Sequence, residues 1–165
     1  VPSRTGVNIK PETYAILAEH DNIKAVKEAD TNITKLQLTL SLCKDKLDFY
    51  SGNDDMTAVA GFIGFKGVIS VLSNILPGYT HKLTLASING NINKANRMQK
   101  EAMKIIEALF SEVNPIPVKY ILGKLIDEDL GFRLPLCYPD DKSTAFLDEI
   151  IDECKNKFKK EIIPF

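Results

Sequence analysis

The sequence predicts an α/β fold in which three βα units run in series and a helical extension follows. Two observations carry this. Three short apolar runs recur about every 20 residues with segments of helical period between them. After Leu72 the strand pattern stops, and only helical periodicity continues to the end. The chain has 165 residues, 44% of them hydrophobic, which is enough to bury a sizeable core.

The first predicted strand is 23–29, opened by the turn formers His20-Asp21-Asn22. The second is 47–51, after Cys43-Lys44-Asp45, and the third is 67–72, closed by Ser73-Asn74. Pro11 opens the first helix, where a missing N–H costs nothing, and Tyr14, Leu17 and Ala18 share its face. Asn32 is the expected cap of the next helix, with Ile33, Leu36, Leu40 and Cys43 at helical spacing. Asp54 or Asp55 is expected to cap a third, running through Met56, Val59, Ala60 and Ile63. Further helices are predicted over 77–88, 92–111 and 118–126, the second with Ala95, Met98, Ala102, Ile105, Ile106 and Leu109 as its stripe. Asn114-Pro115-Ile116-Pro117 separates the last two, and Arg133-Leu134-Pro135-Leu136 reads as an extended connector. Ser143 is the expected cap of a last helix carrying Phe146, Ile150, Ile151 and Cys154.

Charge and composition exclude several function classes. Lys plus Arg total 21 and Asp plus Glu 22, a net charge of -1, which argues against a nucleic-acid partner. No run approaches the roughly 18 apolar residues of a membrane span, and the first residues carry no signal-peptide pattern. Cys43, Cys137 and Cys154 are odd in number and far apart, so they read as plain thiols in a reducing compartment. The expectation is a cytoplasmic chain with no membrane partner. A three-stranded parallel sheet leaves edges and a face uncovered, and the chain starts at Val1, so a preceding half is expected to be missing.

Lys27 is the most informative position. Period-two alternation puts it on one strand face with Ile23, Ala25 and Ala29. A lysine there either snorkels to an exposed strand end, the simpler account, or uses its amine. Burial disfavours an ammonium and yields a neutral nucleophile able to form a Schiff base with a carbonyl. Gly52, Asn53 and Asp54 follow the second strand, at the end where α/β barrels place ligand-contacting loops. The plainer reading is a glycine ending a strand and an aspartate capping a helix. Arg4 lies in a loop before the first helix and is suited to gripping a carboxylate, though a lone loop arginine is more often solvated. Gly61, Gly64 and Gly67 precede a strand instead of opening a helix after one, so they read as tight packing and not as a dinucleotide site. His20 and His81 have no partner at useful spacing, Lys155, Lys157, Lys159 and Lys160 read as a solvated face, and no metal is assigned.

Six segments together resemble the dihydrodipicolinate synthase family, within the pyruvate-dependent class I aldolases. They are Val1-Pro2-Ser3-Arg4-Thr5-Gly6, Val26-Lys27-Glu28-Ala29, Tyr50-Ser51-Gly52-Asn53-Asp54-Asp55, Gly67-Val68-Ile69-Ser70-Val71, Asn114-Pro115-Ile116-Pro117-Val118-Lys119 and Arg133-Leu134-Pro135-Leu136. They match in order and spacing, across this whole chain but only the second half of that enzyme. The resemblance implies the C-terminal part of a (β/α)8 TIM barrel followed by a C-terminal helical extension, in a homo-oligomer. Residues 1–76 would be the last three strands with their helices, and 77–165 the last barrel helix and the helical domain. It implies that Lys27 captures pyruvate as a Schiff base, with no other cofactor. The enamine then attacks aspartate semialdehyde, on the route to diaminopimelate and lysine. Arg4 would hold the semialdehyde carboxylate. Gly52, Asn53 and Asp54 would line that substrate, and the backbone of Ile69 would lie beside pyruvate.

Departures from the family pattern qualify the match. The family's Tyr-Asn pair would precede Val1, so the isolated chain is expected to be weakly active or inactive without an N-terminal half-barrel. The lysine feedback site would also fall in that half. Asp30-Thr31 stands where Ser or Thr then Gly is usual, and Phe65 stands where a glycine is common; two readings stay open, that these changes crowd or reshape the pocket or that they are drift in a chain no longer under catalytic demand. An inactive truncated homologue serving as an assembly or binding module is the alternative. Another pyruvate-dependent aldolase is disfavoured by Arg4.

Overall fold

The computed structural model describes residues 1–162. Three parallel strands, β1 (Ala25–Glu28), β2 (Asp48–Ser51) and β3 (Gly67–Val68), form one sheet in the order β1-β2-β3. In its register Lys27, Tyr50 and Gly67 stand side by side. β3 is much shorter than the sequence suggests. The Ile69 N–H still reaches Ser51 O at 2.8 Å, but Leu72–Asn74 then coils into a 3-10 turn in which Leu72 is buried. No strand among the described residues pairs with its outer edge, so nothing extends the ladder.

Helices α1 (Pro2–Thr5), α2 (Pro11–Leu17), α3 (Ile33–Cys43) and α4 (Thr57–Phe62) belong to the βα part. One sheet face packs on a core of Tyr14, Ala18, Leu36, Cys43, Leu47, Phe49, Ala60 and Phe65. Phe49 is its centre, edge-on to Tyr14 at 6.0 Å and to Phe65 at 5.8 Å between ring centroids. Phe65 thus fills the core beside Phe49, on the face opposite Lys27. The reading in which it crowds the pocket is corrected by its packing: Phe65, ahead of β3, is 3% exposed against Phe49, while Lys27 is exposed on the other face of the sheet. Close packing accounts for Gly61, where a Cβ would stand 2.7 Å from Ile88 N, whereas Gly64 has φ +108° and no neighbour nearer than 4.0 Å, so backbone conformation and not packing asks for a glycine there.

Four helices follow: α5 (Pro77–Ile88), α6 (Ile92–Leu109), α7 (Ile116–Ile126) and α8 (Asp141–Lys157). The whole predicted stripe of α6 is buried, from Ala95 to Leu109. α7 starts earlier than predicted because Pro117 sits inside its first turn, where a proline fits. The chain forms two compact units, Val1–Ser70 with Leu83–Asn96, and Val71–Lys82 with Arg97–Phe165.

The capping expectations divide. Asn32 caps α3, its side chain accepting from Lys35 N. Asp54 does not cap: it lies within a 3-10 turn (Asp54–Met56), and its carbonyl accepts from the Thr57 hydroxyl. Nor does Asp55, which is exposed in the same turn. For α8 the cap is Asp140, which accepts from the N–H of Ser143. The serine is therefore the third residue of the helix and not its cap. Leu147 and not Phe146 heads the buried stripe of that helix, being three and four residues from Ile150 and Ile151. Arg4, expected in a loop, lies in the helical turn α1, which Gly6 ends in the left-handed conformation.

Candidate active site

Alternation along β1 turns Val26 and Glu28 to the helix-covered face and leaves Ala25 and Lys27 exposed on the other. Lys27 is therefore not enclosed as a buried-strand reading expects. It stands on an open face beside Tyr50, and Gly67 completes the row. A Cβ on Gly67 would come within 3.1 Å of the Tyr50 ring, so one edge of that ring passes close over the glycine.

Gly52 forms the floor under Lys27. A Cβ there would stand 2.7 Å from Lys27 Cε and 3.1 Å from Ala29 Cβ, so only a bare backbone admits the lysine in this position. Its N–H donates to Glu28 O at 2.8 Å, and the Asn53 side-chain amide donates to Ala29 O at 3.0 Å. These bonds join the ends of β1 and β2. Gly52 and Asn53 are half-buried at this rim. Asp54 is 2% exposed, beneath the surface that its two neighbours shape. Ile69 follows β3, half-exposed, with its N–H held by Ser51.

Arg4 is exposed on α1. The segment after that helix is tied to the end of β1 through Asp30. The Asn8 side-chain amide donates to Asp30 at 2.7 Å, Lys35 forms an ion pair with Asp30 at 2.9 Å, and Lys35 also donates to Asn8. Burial alone would raise the Asp30 carboxyl, but the Asn32 backbone N–H, Asn8 and Lys35 together hold it at about 2. Asp30 is thus a clamp between two loops.

The residue that sequence reasoning missed is Glu28. It is 4% exposed, and it accepts from the Tyr14 hydroxyl at 2.5 Å and from the N–H groups of Ala29 and Asp30 at 2.7 and 2.9 Å. Burial, and then the bond to Glu28, pushes the Tyr14 phenol well above its ordinary value. Its signal was present: a glutamate at the inward position of an alternating strand needs a built partner set. A cleft of about 250 Å³ separates this pair from α1, with Pro2 and Asn8 in its wall.

Other chemistry finds less support. Burial raises the thiol of Cys43, and burial followed by Glu153 pushes that of Cys154 up to about 12, so neither is a ready nucleophile. No group of three or more His, Cys, Asp or Glu among the described residues could hold a metal ion. No helix of the described residues is long and apolar enough to cross a membrane.

Residues 1–153 match the model of the Dihydrodipicolinate synthetase family. The 4-hydroxy-tetrahydrodipicolinate synthase of Caldicellulosiruptor saccharolyticus is 45% identical over 156 residues, which are 92% of this chain and 51% of that protein. The crystal structure of the dihydrodipicolinate synthase of Thermotoga maritima is 38% identical, with a TM-score of 0.86 over 93% of this chain and 53% of that one. The chloride-inhibited synthase of Acinetobacter baumannii, complexed with pyruvate, is 30% identical with a TM-score of 0.88, again over 93% and 53%. The chain spans about half the length of the curated relatives it matches.

Proposed function

The chain belongs to the dihydrodipicolinate synthetase family and has the fold of a partial (β/α)8 barrel with a helical C-terminal extension, and on that premise we propose that it supplies the Schiff-base half of a dihydrodipicolinate synthase. The observation that carries the reading is Lys27 on the open sheet face over the bare backbone of Gly52. The amine attacks the carbonyl carbon of pyruvate, and loss of water gives an iminium. Loss of a methyl proton then gives an enamine, whose carbon bonds to the aldehyde carbon of aspartate semialdehyde, and hydrolysis or cyclisation frees the lysine. A solved relative that holds pyruvate supports the first substrate. Arg4, whose planar guanidinium presents a fork of donors, suits the semialdehyde carboxylate. Asn53 steadies the rim, Asp54 supports it from below, and the backbone at Ile69 borders the pyruvate side. No cofactor beyond the lysine itself takes part, and the protein works in the cytoplasm.

The chain joined with the N-terminal half of a relative should condense the two substrates. Lys27→Arg should abolish turnover, and Arg4→Ala should raise the semialdehyde concentration for half-maximal rate. An assembled pair that turns over equally well with Lys27→Arg would overturn the reading. A pair that assembles but never turns over would favour the non-catalytic module.

A further inference from the structure

We propose that Glu28 is the positioning residue for Lys27, setting where the amine stands by fixing the end of β1. The proposal rests on the reading of Lys27 as the Schiff-base lysine. A carboxylate on the apolar face of a sheet is costly, and a leucine would fill the same volume without that cost. What leucine cannot do is accept hydrogen bonds. Glu28 Oε1 takes the N–H groups of Ala29 and Asp30, the first two amides beyond β1, which the sheet ladder does not use. Oε2 takes the Tyr14 hydroxyl, which anchors the carboxylate to α2. The captured turn then reaches across the sheet: Glu28 O holds Gly52 N, and Ala29 O holds the Asn53 side chain.

A Cβ on Gly52 would meet both Lys27 Cε and Ala29 Cβ, so Gly52, Ala29 and the lysine chain share one space. Releasing the turn moves the floor and one wall of the lysine together. Glu28 therefore acts through backbone position, without touching substrate.

The test is reductive trapping of the chain, joined with the N-terminal half of a relative, by borohydride at graded pyruvate concentrations. Glu28→Leu should slow trapping at Lys27 by about tenfold or more, a loss expected of a misplaced reacting group. The pyruvate concentration for half-maximal trapping should stay unchanged. Glu28→Gln, which keeps an oxygen for the two amides, should restore most of the rate. A folded Glu28→Leu that traps at the wild-type rate, or a Glu28→Gln as slow as Glu28→Leu, would overturn the proposal. If Glu28→Leu does not fold, Tyr14→Phe decides: slower trapping supports positioning, and an unchanged rate sinks it. If the wild-type chain traps nothing, the Schiff-base reading has failed and positioning is judged separately. Acetylation of Lys27 relative to Lys24 and Lys66 should then change in Glu28→Leu and recover in Glu28→Gln, and equal ratios in all three would overturn it.

Discussion

Asp30 shows how a single carboxylate ties two loops together. Its carboxyl is lowered from 3.8 to about 2, with burial opposing and Asn32, Asn8 and Lys35 prevailing. A depressed folded value means the stabilisation is complete above the unfolded value and lost as pH falls through the folded one. Wild-type stability should therefore fall between pH about 4 and about 2, and Asp30→Asn should flatten that limb in acid titrations of the urea midpoint. Equal slopes in both proteins would contradict the clamp. Gly52 gives the second prediction at this scale. Gly52→Ala places a methyl 2.7 Å from Lys27 Cε, which is a flexible chain, so the fold should survive while Lys27 shifts. Pyruvate trapping should fall about tenfold or more with the melting curve nearly unchanged. The alternation that singled out Lys27 was legible in the sequence, as was the glycine at the strand end. Their contact was not, because it depends on which residue of β2 lies opposite β1, and register is a property of the sheet. Glu28 escaped for a related reason: its partners are a phenol 14 residues away and its own following turn.

Among elements, the long helices were read most closely because many residues vote for one face. All six residues of the α6 stripe are buried. Termini were read less well, since one or two polar residues decide them. Asp140 and Ser143 are both plausible caps by type, and only the backbone chooses between them. Asp140→Ala should therefore lower the urea midpoint, and Ser143→Ala should lower it by clearly less. Comparable losses from the two would contradict this assignment. Phe65 is the element-scale counterpart: its sequence position left open whether it reshapes the pocket, and the core packs it against Phe49. Phe65→Ala should cost about 3–5 kcal/mol through the cavity left beside Phe49, while its folded fraction traps pyruvate as wild type does. Slowed trapping in the folded fraction would return Phe65 to the pocket wall.

For the whole molecule, three strands and a helical extension were countable from the sequence, and the match over half of each relative agrees with that count. The extent of β3 was not countable, because Val68-Ile69-Ser70-Val71-Leu72 has strand composition yet only its start is paired. The open sheet face carries Lys27, Tyr50 and Gly67, and the edges of β1 and β3 pair with no further strand among the described residues. Such edges and faces bind other chains. The 165-residue chain should accordingly sediment as an oligomer or bind a supplied N-terminal half-barrel, and a well-folded monomer indifferent to that half would contradict this.

The central claim is that Lys27 is the residue that captures pyruvate. Peptide mapping by mass spectrometry after treatment with pyruvate and borohydride, with the N-terminal half supplied, tests it most directly. The account predicts one reduced adduct, on the peptide bearing Lys27. A different modified lysine, or an assembled protein with no adduct at all, would contradict it.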